Sequence, residues 1–129
     1  MLNPSTADAD VDDPTIRRCI EFSRRDGFDG LRVCNLFAWR ATKPVVLRSL
    51  TDPVGEANDT MILSEAAGSI SVVAAWGRVH RVLQPRADAV LHMLSLDGHA
   101  VQCLGRNADD SPRHPLYLAK STPFVGYRP

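Results

Sequence analysis

The sequence predicts an α/β domain with a short, largely parallel sheet. Two observations carry that expectation. Short, apolar, β-rich runs alternate along the chain with segments of helical period. Each helical segment also carries its own start or stop signal, a capping residue before it or a glycine after it. At 129 residues the chain suits a single domain, 1–129, with one hydrophobic core.

The first helix is expected in "DDPTIRRCIEFSRRDG", with Asp13 as its cap, Pro14 in its first turn and Gly27 as its stop. Ile16, Cys19, Ile20 and Ser23 share one face. Arg17, Arg18, Glu21, Arg24 and Arg25 share the other, which reads as a solvated face. "LRVCNLF" predicts a buried strand over 31–36. Asp52-Pro53 and Gly55 mark a break, and "EANDTMILSEAAG" predicts a second helix. "SISVVAAW", ending at Gly77, predicts a strand buried on both faces. A short helix is expected in "RVHRVL", running to Pro85. "RADAVLHMLSLDG" then places Ala87, Val90, Leu91 and Leu94 on one stripe, with Gly98 as the stop. "HAVQCLG" predicts a third strand, and the proline-rich tail from Arg106 is expected to wrap the domain as ordered loop.

In parallel α/β sheets ligands sit beyond the carboxyl ends of the strands. The residues leaving those ends are Asn35, Phe37, Trp39 and Arg40; then Trp76, Gly77, Arg78 and His80; then Arg106 and Arg113-His114-Pro115. Cations, amides and aromatic rings on one edge suit a planar polar ligand near phosphates, because rings stack on base faces, an amide reads a base edge and arginine holds phosphate oxygens. His114, between Arg113 and Pro115 in an irregular segment, is the best candidate for chemistry; His92 and His99 read as ordinary and His80 stays ambiguous.

Several chemistries lack their motif. There is no Walker A loop, no G-x-G-x-x-G after a strand and no G-x-S-x-G elbow. Asp8, Asp10, Asp12 and Asp13 read as a solvated turn plus a helix cap, so neither a metal nor another cofactor is expected. Three widely spaced cysteines, Cys19, Cys34 and Cys103, read as core thiols in a reducing, cytoplasmic setting. No run is long and apolar enough for a bilayer and no basic-then-apolar leader opens the chain, so no membrane partner is expected. Formal net charge is zero, so any nucleic-acid affinity must come from a local cationic patch.

The opening "MLNPSTADAD" is a tight polar turn that should follow a buried strand, yet only Met1 and Leu2 precede it. That run, with "NLFAWRAT", "AAWG" and "RHPLYL", looks like an uncharacterised bacterial domain family sharing these blocks in this order. More remotely, the blocks resemble the uracil-DNA glycosylase superfamily. "MLNPS" takes the place of that family's first motif, "RVCNLF" that of the strand ending in a base-reading asparagine, "VVAAWG" that of a strand ending in a W-G pair, and "RHPLY" that of the final His-Pro motif.

The resemblance implies a three-layer α/β/α fold with a short, mostly parallel sheet, whose first strand is apparently missing. Either the chain is a truncated product, or another copy or segment fills the gap. It also implies a DNA N-glycosylase-like activity on a flipped base, with DNA or a nucleotide as partner. His114 would hydrogen-bond the departing base and Asn3 would position water, with Asp8 in reserve. Asn35 would read the base edge, Phe37 or Trp39 would stack on it, and Arg40, Arg78 and Arg113 would contact phosphates. Pro4, Ser5 and Pro115 complete the substrate-binding motifs. Met1 and Ser5 stand where relatives carry glycine, and Leu116 where a serine usually follows His-Pro, which points to a different or modified base. A binding module without chemistry, or a hydrolase of small nucleosides or nucleotides, are the alternatives on the same fold.

Overall fold

The computed structural model describes residues 1–2, 13–38, 52 and 54–128. Helix α1 (Pro14–Arg25) starts where a side chain can replace the missing helical acceptor. The Asp13 carboxylate accepts from the backbone N–H of Thr15 at 2.8 Å and of Ile16 at 3.4 Å, and Pro14 spends no donor in the first turn. The helix ends in a Schellman arrangement, with Phe28 N–H donating to Ser23 O and Gly27 N–H to Arg24 O, both at 3.0 Å. Gly27 takes the left-handed conformation this needs, at φ 81°.

The basic face of α1 is not simply solvated. Arg18 donates to the carbonyl of Leu118, and Arg25 donates to those of Lys120, at 2.8 Å, and Thr122. Both guanidinium groups also lie over the Phe22 ring, about 5 Å from its centroid, and Arg25 lies over Phe124 as well. These arginines strap the proline-rich tail to the helix, which corrects the expectation for that face.

Helix α2 (Asn58–Ala67) and helix α3 (Gln84–Leu96) pack on each other, and α3 lies against the sheet. Pro85 sits inside the first turn of α3 rather than ending a preceding helix, since proline at the start of a helix lacks only an N–H that has no helical partner anyway. Residues 81–83 are accordingly a turn, and the short helix expected over 78–83 does not form.

The fold is mixed α/β, with a three-stranded sheet of order β1 (Val72–Ala74), β2 (Val101–Cys103), β3 (Val125–Gly126). β1 and β2 are parallel, with Val73 opposite Gln102, and β3 adds antiparallel, with Val125 opposite Cys103. The sheet is thus mixed, because the tail returns as a strand where only loop was expected. Alternation sorts the side chains. Ala74, Trp76 and Cys103 join Ile62, Ala66, Ala87, Val90, Leu91 and Leu94 of the helices in the main core. Val73, Ala75 and Leu104 line a groove with Cys19 and Phe22 of α1.

The 31–36 run forms no ladder with β1. Among the described residues its backbone partners are the first two, Met1 and Leu2. The Met1 ammonium donates to Cys34 O at 2.9 Å, Leu36 N–H donates to Met1 O at 2.9 Å and Phe37 N–H to Leu2 O at 2.8 Å. The first two bonds bracket Asn35 as a parallel pairing does.

Candidate functional site

The loop that follows β2 is built to be stiff. Arg113 N–H donates to Gly105 O at 2.9 Å, and Asn107 N–H donates to Ser111 O at 2.9 Å. The Asp109 carboxylate accepts from Ser111 through both its N–H, at 3.2 Å, and its hydroxyl, at 2.5 Å, which holds the carboxyl below its usual range. The buried Tyr127 hydroxyl donates to Asp110 O at 3.0 Å, and Pro112 and Pro115 are fully buried. Those anchors fix His114 between them.

His114 is half-buried. Its Nδ1 accepts from Leu116 N–H at 3.3 Å, so the neutral ring carries its proton on Nε2 and that nitrogen is a donor. Burial pushes its pKa down, the Met1 ammonium pushes it further down, and the Asp13 carboxylate opposes both. The imidazole is therefore held neutral. Gly77, which ends the run from β1, adopts φ 78° and brings its α-carbon against this residue, where an added Cβ would stand 3.2 Å from that of His114. The "AAWG" and "RHP" blocks, far apart in sequence, thus meet, and both loops leave the carboxyl ends of β1 and β2.

Asn35 is held by Met1, its parallel partner. Its segment is clamped from below. Buried Asn58, in the first turn of α2, donates from Nδ2 to Asn35 O at 2.9 Å and to Leu36 O at 3.1 Å. Arg86 of α3 donates from Nε to Leu36 O at 2.7 Å, and its Nη1 pairs with Asp59 at 2.7 Å. Removing the amide with Asn58→Ala leaves buried carbonyls short of donors. We expect it to lower unfolding free energy by about 1–3 kcal/mol, measured by urea denaturation.

Other expected site residues fall elsewhere. Asn3, Pro4, Ser5, Asp8, Trp39 and Arg40 lie outside the described residues. Phe37 is 2 % exposed within the main core, so its ring is not available to stack on a ligand; the hydrophobic pull of the α2–α3 layer takes it inward. Trp76 is likewise a core ring, edge-on to Tyr127 at 6.3 Å. Arg106 turns to the tail, donating to Arg128 O at 2.7 Å and lying over Tyr127. Arg78 and Arg113 are exposed, Arg78 standing 3.9 Å from the Asp109 carboxylate. Pro115 lines a groove of about 400 Å³ between the sheet and α1, which Met1, Phe22 and Cys34 also border.

Sequence reasoning overlooked Tyr117. It is 93 % exposed, with φ 69°, on the loop that carries His114. A bulky residue at positive φ is uncommon, and the signal for it was an aromatic two residues after a His-Pro pair. Among the described residues no cluster of His, Cys, Asp or Glu could hold a metal ion. None of the described helices is long and apolar enough to cross a membrane.

No curated protein and no solved structure matches the chain. A family match covers residues 1–116, from the opening turn through the His-Pro pair. With nearly all of its length inside that match, the chain belongs to the DUF1643 family, described as proteins of unknown function.

Proposed function

We propose that the domain is a DNA N-glycosylase-like hydrolase acting on a flipped base, a different base from uracil or a modified one, on a uracil-DNA glycosylase-like α/β/α fold. One observation carries the reading: a neutral, half-buried imidazole whose Nδ1 is occupied by a backbone N–H, leaving Nε2–H as a fixed donor. Cleaving an N-glycosidic bond builds positive charge on the sugar and negative charge on the base. A donor already oriented and already desolvated stabilises the departing base as that charge forms. The contact between Gly77 and His114, and the pairing of Met1 with the Asn35 segment, support a common neighbourhood for the motifs that the resemblance joins. Asn3 directly follows Leu2 and would position the attacking water, with Asn35 reading the base edge. Arg78 and Arg113 are exposed cations for phosphates.

With Phe37 in the core, Tyr117 is the exposed ring beside His114, and we assign it the stacking role on DNA. Base–aromatic stacking contributes about 1–3 kcal/mol per base. Tyr117→Ala is therefore expected to weaken duplex binding by about five- to a hundredfold in a fluorescence-anisotropy titration, with little change in thermal stability.

The reading is tested with purified protein on duplexes containing uracil, alkylated, hydroxymethylated or glucosylated bases, scoring abasic sites. Release that disappears in His114→Ala supports it. The withdrawal of the Phe37 ring into the core favours a second reading, a binding module without chemistry. Tight binding with no release from any of these duplexes selects that module.

A further inference from the structure

The loop between β2 and the tail bends at a place where glycine is the usual residue. Asp110 N–H closes a turn onto Asn107 O at 3.0 Å, and Asn107 N–H donates to Ser111 O at 2.9 Å. A hairpin of this kind takes an extra residue in the left-handed conformation, which glycine adopts most easily. Here that residue is Asp110, at φ 62°. Tyr117, on the far side of His114, stands at φ 69°. Backbone held in that region costs free energy and persists only where the surroundings over-determine it. His114 therefore sits between two strained points, and its position depends on what holds them.

The tail holds the first of them. The Tyr127 hydroxyl donates to Asp110 O at 3.0 Å, and Arg106, at the root of the loop, donates to Arg128 O at 2.7 Å. Burial pushes the Tyr127 pKa up, so its hydroxyl is a donor throughout the neutral range. Tyr127 is itself fixed. Its N–H donates to Val101 O at 2.8 Å where β3 pairs with β2, and its ring stands edge-on to Trp76 with the Arg106 guanidinium over its face. The residue after Trp76 is Gly77, which abuts His114. One tail residue thus touches both the loop before His114 and the strand end that meets it.

We propose that Tyr127 is a positioning residue for His114: through Asp110 it holds the 105–116 loop in the conformation in which Leu116 N–H reaches Nδ1. The inference rests on the reading of His114 as the donor to a departing base, and it extends the site into the tail. Without the hydroxyl, Asp110 is free to leave the left-handed region, and the loop gains conformations in which Leu116 N–H turns away. The imidazole then loses part of its burial and its fixed orientation. A preorganised donor becomes a mobile one, which must be ordered again each time charge develops on the base.

Tyr127→Phe tests this, because it deletes the hydroxyl and keeps the ring against Trp76. Ser71→Ala is the control, removing a hydroxyl that donates to Gln102 Oε1 at 2.8 Å toward the amino end of the sheet. In Tyr127→Phe, Leu116 amide exchange is expected to quicken about tenfold, the effect of losing one hydrogen bond, with the α3 amides unchanged. The His114 imidazole resonances should titrate closer to the ordinary 6.5. Single-turnover base release should slow about tenfold, with duplex binding unchanged. Adding Asp110→Gly should restore Leu116 protection, since glycine holds φ 62° without the latch. Ser71→Ala should move none of these. The proposal is overturned if Leu116 exchange and the His114 titration stay as in the native chain, or if glycine gives no recovery. It is equally overturned if Ser71→Ala shifts both as much, or if the α3 amides quicken with Leu116, since either marks general loosening. A native chain that releases no base sinks the glycosylase reading alone; exchange and titration still decide the role of Tyr127.

Discussion

Replacing His114 by alanine is expected to lower the single-turnover rate of base release by about a hundred- to a thousandfold, the usual effect of deleting one preorganised donor to a developing anion. The loss should fall on the rate of the chemical step rather than on binding, because Nε2–H meets charge that exists only as the bond breaks. Unfolding free energy should drop by only about 1 kcal/mol, since the ring is half-buried and makes one hydrogen bond to Leu116. Gly77→Ala provides the companion variant. A Cβ at φ 78° is strained and would press on His114 at 3.2 Å, so release should slow although the imidazole is still present. The pH profile separates a donor from a structural ring. With its pKa depressed, His114 stays neutral as pH falls through 6.5, and the rate should hold there. Further acidification protonates Nδ1, which then cannot accept from Leu116 N–H, and the loop loses its anchor. A rate insensitive to His114→Ala would remove the imidazole from the mechanism.

Local signals were readable where the physics is local. Asp13 and Gly27 bracket α1 because a cap and a left-handed stop act within three residues of the helix end. Pro85 misled for the opposite reason: the same residue that ends one helix can open the next, and only the packing of α3 decides. The helical period of α1 placed its arginines on one face but carries no information about a tail nearly a hundred residues downstream, where Arg18 and Arg25 find their carbonyls. β3 is two residues long, and its pairing with β2 is set by that tail's path rather than by any strand pattern of its own. Within the candidate site, His114 was legible as a polar residue fixed between Arg113 and a proline. Its tautomer was not, because that depends on Leu116 N–H turning back onto Nδ1. Phe37 was misplaced because a ring leaving a strand end can face a ligand or the core, and the α2–α3 layer decided for the core.

Stability should rise between pH 6 and pH 8 in the chain with a free Met1 amine, and acetylation should remove the share of that rise that belongs to the amine. Desolvation by the surrounding protein lowers the pKa of the amine from 8.0 to about 6. The influences that oppose burial are the thiols of Cys19 and Cys34. Burial raises the pKa of both thiols, so near neutrality they are protonated and supply no counter-charge. The sign follows from proton counting. Between pH 6 and pH 8 the unfolded chain holds a proton at this site that the folded chain has lost, so unfolding free energy increases with pH. Two pKa units correspond to about 2.7 kcal/mol, present as a full penalty below pH 6, about half relieved at pH 7 and gone above pH 8. An acetylated Met1 keeps an N–H for Cys34 O but has nothing to titrate. Urea denaturation at pH 5.5, 7 and 8.5 is therefore expected to show the acetylated chain more stable by about 2–3 kcal/mol at the lowest pH, with the two converging at the highest. Parallel curves, with no pH-dependent gap, would place the Met1 nitrogen in water rather than against the 34–36 backbone.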